Sequence, residues 1–100
     1  MAAVATAERW RMIDFACSSG AWNQAVDEAL LESVAVGGTV PIVRMYGWSE
    51  PCISIGSSEA ASDVSPTTLA RLGATLVRRH SGGTVVVHDQ QLAYALVLPA

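Results

Sequence analysis

The part of this sequence best suited to chemistry is RRHSGGTVVVHD, which runs from Arg78 to Asp89. Two arginines and a histidine lead into a Gly-Gly pair, and a run of β-branched residues follows. Glycine lets the backbone approach a ligand closely, and successive N–H groups in such a turn form an anion-binding concavity. Arginine adds fixed positive charge and planar donors. The pattern predicts a site for an anionic or carboxylate-bearing ligand, with a β-hairpin turn flanked by exposed basic residues as the alternative.

Other reactive side chains are few. All six basic residues are arginine, so the chain holds no lysine, and chemistry that needs one must obtain it elsewhere. The two cysteines, Cys17 and Cys52, match no metal-binding spacing, and we expect both to be reduced, buried and inert. Asp27 and Glu28 are adjacent carboxylates on the polar side of a predicted helix. There the expectation is a solvated face and no metal site.

Composition limits the partners and the location. A formal net charge of −3 argues against nonspecific nucleic-acid binding, which needs many contacts between basic side chains and phosphates. The N-terminus lacks a basic segment followed by a long apolar one, and no apolar run reaches the length of a membrane span. We therefore expect a cytoplasmic protein without a membrane partner. Apolar residues make up 51% of 100 residues, which predicts that some apolar surface faces protein outside this chain.

The elements that must position these residues follow from hydrophobic periodicity and turn residues. Strands are predicted at residues 10–15, 42–47, 52–56, 74–79, 84–89 and 92–99. An amphipathic helix follows the first strand and ends at Gly37-Gly38, with its polar residues facing solvent. A shorter helix begins at Ser65-Pro66 and ends at Gly73. The leader, residues 1–8, consists mostly of small residues and is predicted to be mobile.

The last two strands carry a further expectation. Residues 84–89 and 92–99 are predicted to pair as a hairpin joined by Gln90-Gln91. The final strand is apolar on both faces, so it should lie inside a sheet with both faces covered. Nothing later in the chain could cover it, which predicts an incomplete domain, truncated at its C-terminal end.

Five blocks of sequence resemble, in order, the lipoate–protein ligase A family, part of the biotin/lipoate ligase superfamily that also includes octanoyltransferases. WRMIDF is similar to the family's opening strand, AWNQAVDEALLE to its first helix, and VRMYGWSEPCISIG to its strand pair. RRHSGGTVVVHD is similar to its ligand loop, and LAYALVLP to the strand that follows. The resemblance implies an α+β fold with a mixed, mainly antiparallel sheet flanked by helices, related to class II aminoacyl-tRNA synthetases. Residues 9–100 would be the N-terminal part of that catalytic domain.

The same resemblance implies an enzyme of protein lipoylation. Ligases of the family activate lipoate with ATP and Mg²⁺ to lipoyl-AMP, and transfer the lipoyl group to a lysine of a carrier domain, such as an E2 subunit or the glycine-cleavage H protein. Octanoyltransferases of the same fold instead take octanoyl from acyl carrier protein through a cysteine thioester. The family's lysine and that cysteine have no counterpart in these residues. The rest of the domain would therefore be needed, in cis or as a separate chain, and a non-catalytic or degenerate fragment is the third alternative.

When the family's functional residues are carried over to the matching positions, the resemblance implies a binding site for ATP or lipoyl-AMP. It implies no catalytic residue and no metal ligand within this chain. Arg79 would face the acyl-adenylate. The loop backbone would line the phosphate and the acyl carboxyl, with the next strand continuing beneath, at Ser81, Gly82, Gly83, Thr84, Val85, Val86, Val87 and His88. Thr84 departs from the family, which usually has a third glycine there. His88 is equally explained as a packed structural histidine, and Tyr46 with Trp48 as turn-packing aromatics instead of a wall for the acyl chain.

Overall fold

The computed structural model describes residues 9–99 and shows six strands and two helices within them. The strands are β1 (Arg11–Ser18), β2 (Ile42–Trp48), β3 (Cys52–Ile55), β4 (Thr75–Arg78), β5 (Val86–His88) and β6 (Ala93–Val97). The helices are α1 (Gly20–Ala35) and α2 (Pro66–Leu72), and a 3₁₀ turn spans Ala61–Asp63. The order of elements and the α+β class agree with the prediction. The predicted mobile leader, residues 1–8, lies outside the described residues.

The strands form two three-stranded sheets. The first sheet has the order β1-β2-β6, and the second has the order β4-β3-β5. Each sheet is mixed: β1/β2 and β3/β4 are parallel pairs, whereas β2/β6 and β3/β5 are antiparallel. The mixed character is confirmed. Among the described strands the two kinds of pair are equal in number, whereas the family resemblance implies a mainly antiparallel sheet.

The predicted hairpin between β5 and β6 is wrong. β5 pairs with β3 and β6 pairs with β2, so these successive strands belong to different sheets. Tight two-residue hairpin turns are filled mainly by Gly, Asn and Asp, whereas this connection is Gln90-Gln91, which is a weak turn signal. The segment carries the chain from one sheet to the other instead of folding it back.

Helix α1 contacts strands of both sheets. Its N-cap is Ser19, whose side chain accepts a hydrogen bond from the N–H of Trp22 at 3.2 Å. The predicted orientation of its faces is wrong, because Trp22 is 62% exposed whereas Asn23 is fully buried and Asp27 is partly buried. The polar residues turn inward because β2 presents a buried arginine to this side of the helix. Neither helix of residues 9–99 is long and apolar enough to cross a membrane.

Helix α2 has the predicted boundaries. The Ser65 side chain caps it, Pro66 is its first residue, and Gly73 ends it in the left-handed conformation with a φ of 61°. Ile53 and Ile55 of β3 form an apolar core with Val64, and Leu69, Ala74 and Leu76 pack against them. This core fixes β3 as the buried central strand of the second sheet.

Strand β6 lies at an edge of the first sheet, in contrast to the predicted interior position. Its side chains alternate: Ala93, Ala95 and Val97 are buried or partly buried, on the side that contacts α1. The opposite face is open, with more than half of each side chain exposed at Leu92, Tyr94, Leu96 and Leu98. The expectation that both faces are covered is therefore not met within residues 9–99.

Candidate functional site

The Gly-Gly loop, residues 79–85, connects the end of β4 to the start of β5. Gly56, directly after β3, forms its floor, because a Cβ at this position would overlap the carbonyl oxygen of Gly83. The N–H of Ser57 donates to the carbonyl of Ser81 at 2.9 Å. Gly83 has a φ of 106°, a conformation that favours glycine. The loop thus lies directly on the backbone of the neighbouring segment.

The guanidinium of Arg79 holds this loop from below. Its Nη2 donates to the carbonyl oxygen of Gly82 at 3.1 Å and to that of Thr84 at 2.7 Å. Its Nη1 donates to the Oγ of Ser54 at 2.6 Å. Arg79 therefore draws two carbonyl oxygens to one side of the loop, and a buried hydroxyl fixes the guanidinium itself.

The other side of the loop presents N–H groups. In a trans peptide the C=O and the N–H point in opposite directions, and no peptide bond of residues 9–99 is cis. The N–H groups of Gly83 and Val85, which follow the two bound carbonyls, therefore point away from Arg79. No N–H from Ser81 to Thr84 donates to a backbone acceptor within the described residues. Such amides beside a guanidinium can bind a carboxylate or phosphate oxygen.

His88 lies at the end of β5, and both of its ring nitrogens are hydrogen-bonded. Nε2 is 2.8 Å from the Oγ of Ser54, and Nδ1 is 2.6 Å from the Oε1 of Gln91. The ring also stacks on Trp48, with centroids 4.3 Å apart and an interplanar angle of 21°. The structure thus shows a packed, hydrogen-bonded histidine. Residues 81–87 are exposed, whereas Arg79 and His88 are partly buried.

Arg78, the neighbour of Arg79, has a different position. Its Nη1 donates to the carbonyl oxygens of Gly56, Ser57 and Glu59, and so holds the turn that follows β3. The Glu59 carboxylate in turn accepts from the N–H of Gly56 at 2.8 Å. The two adjacent arginines therefore stabilise the two backbone segments that meet at the Gly-Gly loop.

A buried polar network between α1 and β2 escaped the sequence analysis. Arg44 is 4% exposed, and its Nη1 forms an ion pair with the Oδ1 of Asp27 at 2.8 Å. Its Nη2 donates to the Oδ1 of Asn23 at 2.6 Å, and the hydroxyl of Tyr46 donates to the Oδ2 of Asp27 at 2.8 Å. Asp27 therefore does not lie on a solvated face as predicted, because two strand residues bind its carboxylate.

Burial changes the proton affinity of two side chains. It is the main reason why the pKa of Tyr46 lies well above its ordinary value, and the hydrogen bond to Asp27 and the charge of that carboxylate raise it further. The Arg44 charge partly opposes this shift. Burial also raises the pKa of the Cys52 thiol. Cys52 is buried as predicted, but Cys17 is exposed, so the expectation of two buried thiols is wrong for Cys17.

The two aromatic residues of β2 pack within the protein. Tyr46 is 6% exposed, lies under the guanidinium of Arg44 and meets Trp48 edge to face. Trp48 stacks on His88. These contacts correspond to the turn-packing alternative for both residues. Within residues 9–99 no three His, Cys, Asp or Glu side chains converge as metal ligands.

We compared the chain with known protein families and with curated proteins. Residues 19–100 match the lipoyl protein ligase A/B catalytic domain. The chain is 40% identical over 91 residues to octanoyltransferase LipM of Carboxydothermus hydrogenoformans, a match that covers 90% of this chain and 34% of that protein. It is also 40% identical over 92 residues to LipM of Anoxybacillus flavithermus, covering 91% and 33% of the two chains.

Solved structures of lipoate–protein ligases have a similar fold. The fold is similar to lipoate–protein ligase A bound with ATP, with a TM-score of 0.77, 28% identity and coverage of 87% of this chain and 36% of that one. It is similar to Ta0514 of T. acidophilum with bound lipoic acid, with a TM-score of 0.73, 26% identity and coverage of 89% and 36%. The chain therefore spans about a third of the length of these relatives. Because the family match extends over most of its length, the chain belongs to the lipoyl protein ligase A/B catalytic domain family.

Proposed function

We propose that residues 9–100 form the N-terminal, acyl-binding part of a catalytic domain that attaches a lipoyl or octanoyl group to a lysine of a carrier domain. The observation that carries this proposal is the Gly-Gly loop, in which Arg79 binds the carbonyl oxygens of Gly82 and Thr84 and leaves amides facing outward. Acyl-adenylates and acyl thioesters present carbonyl oxygens, and adenylates also present phosphate oxygens. Preorganised amides bind both kinds of acceptor.

In this proposal the loop amides contact the activated end of the acyl group. The backbone from Ser81 to Val85 lines the phosphate or the acyl carbonyl, and β5 continues beyond it, with Val86 and Val87 exposed on its two opposite faces. Arg79 lies on the opposite side of the loop from these amides, where it maintains the loop conformation and adds positive charge behind the amides. His88 supports this surface from below through Ser54.

Two acyl donors are candidates for this loop, and a comparison with known proteins supports each of them. The relatives named as octanoyltransferases share 36% to 40% identity with this chain, which favours octanoyl transfer from a carrier thioester as our first candidate. The similarity to a lipoate–protein ligase bound with ATP favours a lipoyl-adenylate, made from lipoate and ATP, as the second. In the second case ATP activates the lipoate carboxylate. Mg²⁺ would accompany ATP in this second candidate, and no residue of this chain is proposed as its ligand.

The proposed acceptors are lipoyl carrier domains. A structural study of a T. acidophilum lipoylation system pairs a bi-partite lipoate protein ligase with its E2 lipoyl domain, which supports an E2 subunit as one proposed acceptor. The glycine-cleavage H protein is proposed as a second acceptor from the family resemblance alone. The chain has no lysine of its own. We therefore propose that the remaining part of the catalytic domain, in cis or as a second chain, packs on the open apolar face of the first sheet and completes the site in the cytoplasm.

The loop amides themselves provide the test. Amide correlation spectra of the isotopically labelled chain would be recorded during titration with a non-hydrolysable lipoyl-AMP mimic and, separately, with an octanoyl-pantetheine thioester. We expect the signals of Gly82 and Gly83 to shift in a saturable manner. Gly73 lies at the end of α2 and serves as the internal control, with no shift expected.

The pattern of shifts separates the two donors. Shifts with the thioester alone favour octanoyl transfer, and shifts with the adenylate mimic alone favour lipoate ligation. Adenosine monophosphate and free octanoate, tested alone, show whether the nucleotide or the acyl group is recognised. Unchanged loop signals with both probes would overturn the assignment of this loop as the acyl-binding site.

A further inference from the structure

Ser54 connects the Gly-Gly loop to β5 through one buried hydroxyl. It lies on β3, the central strand of the second sheet, and is fully buried. Its Oγ accepts from the Nη1 of Arg79 at 2.6 Å and lies 2.8 Å from the Nε2 of His88. A buried hydroxyl needs partners of this kind, because an unpaired one is costly. Ser54 is therefore bonded on both sides to residues of the candidate site.

The protons in this chain of hydrogen bonds have a defined direction. Arginine can only donate, and the Oε1 of Gln91 can only accept, so the Nδ1 of His88 carries a proton. In the neutral ring Nε2 then has a free lone pair and accepts from the hydroxyl of Ser54. Donation thus runs from Arg79 to Ser54 to His88 to Gln91, and the hydroxyl of Ser54 and both ring nitrogens of His88 have partners. Hydrogen bonds arranged in series polarise and strengthen one another.

This arrangement determines where the guanidinium of Arg79 points. With Nη1 held by Ser54, Nη2 is directed at the carbonyl oxygens of Gly82 and Thr84. Those two bonds turn the following amides outward. If Ser54 no longer held Nη1, the guanidinium could rotate away, and the loop carbonyls could turn back toward the ligand side.

We propose that Ser54 is a positioning residue for the acyl-binding loop, and that His88 orients the hydroxyl of Ser54. This inference rests on the proposed function, since it names the residue that holds the loop ready for the acyl donor. Ser54 itself is buried beneath the loop and contacts no ligand. It acts through Arg79.

The tautomer of His88 is the first test, made on the unaltered chain. Long-range proton–nitrogen correlation spectra distinguish protonation at Nδ1 from protonation at Nε2. We expect the proton on Nδ1, with a bare Nε2 that accepts from Ser54. A ring protonated at Nε2 would overturn the proposal, because Ser54 could not then donate to it. Gln91→Ala, a change at an exposed residue, should remove this preference without unfolding the protein.

Substitutions at Ser54 supply the second test. Ser54→Ala should shift the Gly82 and Gly83 amides in the free protein and weaken binding of whichever probe the unaltered chain binds by about tenfold, as expected for loss of a hydrogen bond to a charged group. Ser54→Thr keeps the hydroxyl and should restore much of the affinity. Cys52→Ala is the matched control, since it removes one buried atom from the same strand and face.

A purely structural role would make Ser54→Ala and Cys52→Ala behave alike, with lower stability and unchanged affinity, and that result would overturn the proposal. The proposed function fails in a different way, because the unaltered chain would then bind neither probe. In that case the His88 tautomer and the amide shifts of free Ser54→Ala still test the hydrogen-bonded chain. If Ser54→Ala does not fold, the tautomer and Gln91→Ala decide the matter.

Discussion

Asp27→Asn is expected to destabilise the protein strongly, although the sequence places Asp27 on a solvent-facing side of α1. One carboxylate oxygen accepts from Arg44 and the other from the hydroxyl of Tyr46, each at 2.8 Å. Asparagine keeps the shape of the side chain but removes its charge and replaces one acceptor with a donor. The amide oxygen can stay toward Arg44 and the NH₂ can donate to the hydroxyl of Tyr46, which can also accept, so the main loss is the negative charge opposite Arg44.

The expected loss of stability depends on how deeply the Asp27–Arg44 ion pair is buried. Removing one partner of a buried ion pair costs about 3–5 kcal/mol, because the other charge is left without compensation. The side chain of Asp27 is 16% exposed, and Arg44 keeps its bonds to Asn23, so the lower end applies, about 3 kcal/mol. For a domain of this size such a loss lowers Tm by about 12 °C or more.

Urea denaturation followed by circular dichroism would measure this change, with Glu28→Gln as the control. Glu28 is the exposed neighbouring carboxylate, so the same change in charge should cost less than about 0.5 kcal/mol there. Equal effects of the two substitutions would refute the reasoning, since the pair would then contribute no more than a surface ion pair. Adding Arg44→Met to Asp27→Asn should cost less than the sum of the single changes, because the stranded charge is gone.

Three further outcomes are expected. Because the pKa of Tyr46 is raised in the folded protein, the unfolded chain loses this proton at lower pH, so the free energy of unfolding should fall as the pH rises above about 10. Denaturation at alkaline pH should show a smaller fall for Tyr46→Phe. An equal reduction in Tyr94→Phe, at an exposed site, would contradict this reasoning. Gly56→Ala should lower the free energy of unfolding in urea by about 1–3 kcal/mol and displace the loop amides, because its Cβ would overlap the loop backbone. Gly82→Ala is the control, since its Cβ would enter open space. Similar effects of both substitutions would be evidence against the contact between Gly56 and the loop. In timed alkylation followed by mass spectrometry, Cys52 should react far more slowly than the exposed Cys17 of β1, because burial raises the pKa of its thiol and blocks access to it. Equal rates for the two cysteines would contradict this prediction.

The sequence predicts the elements of this fold better than their pairing, and the reason is physical. The start and end of α2 depend on local signals, a serine cap, a proline and a left-handed glycine, and all of them are present in the structure. The pairing of β5 and β6 depends on strands some thirty to fifty residues earlier in the chain. An apolar or alternating run indicates a strand but does not identify its neighbour.

The buried network shows a second limit. The periodicity of α1 places its apolar residues on the side of Trp22, an inference that holds only if the opposing surface is apolar. The opposing strand instead presents Arg44 and Tyr46, two residues apart and therefore on one face. Asn23 and Asp27 lie four residues apart on the helix, so they also share a face. The signal that could have identified the network is this combination of a polar pair with an acidic member on one face of the helix, Asn23 and Asp27, with a polar pair with a basic member on one face of the strand, Arg44 and Tyr46.

The candidate loop combines both lessons. Residue types predict a site at this loop, because glycines beside arginines are typical of anion sites, but they do not predict which polar groups of the loop would face a ligand. That depends on Ser54, a residue with no distinguishing neighbours in the sequence, which fixes the guanidinium of Arg79 from a strand more than twenty residues away. Once the carbonyls of Gly82 and Thr84 are bound from below, the planarity of the peptide directs the next amides outward. The anion-binding role proposed for the loop therefore depends on the buried hydrogen bonds beneath it as much as on its glycines.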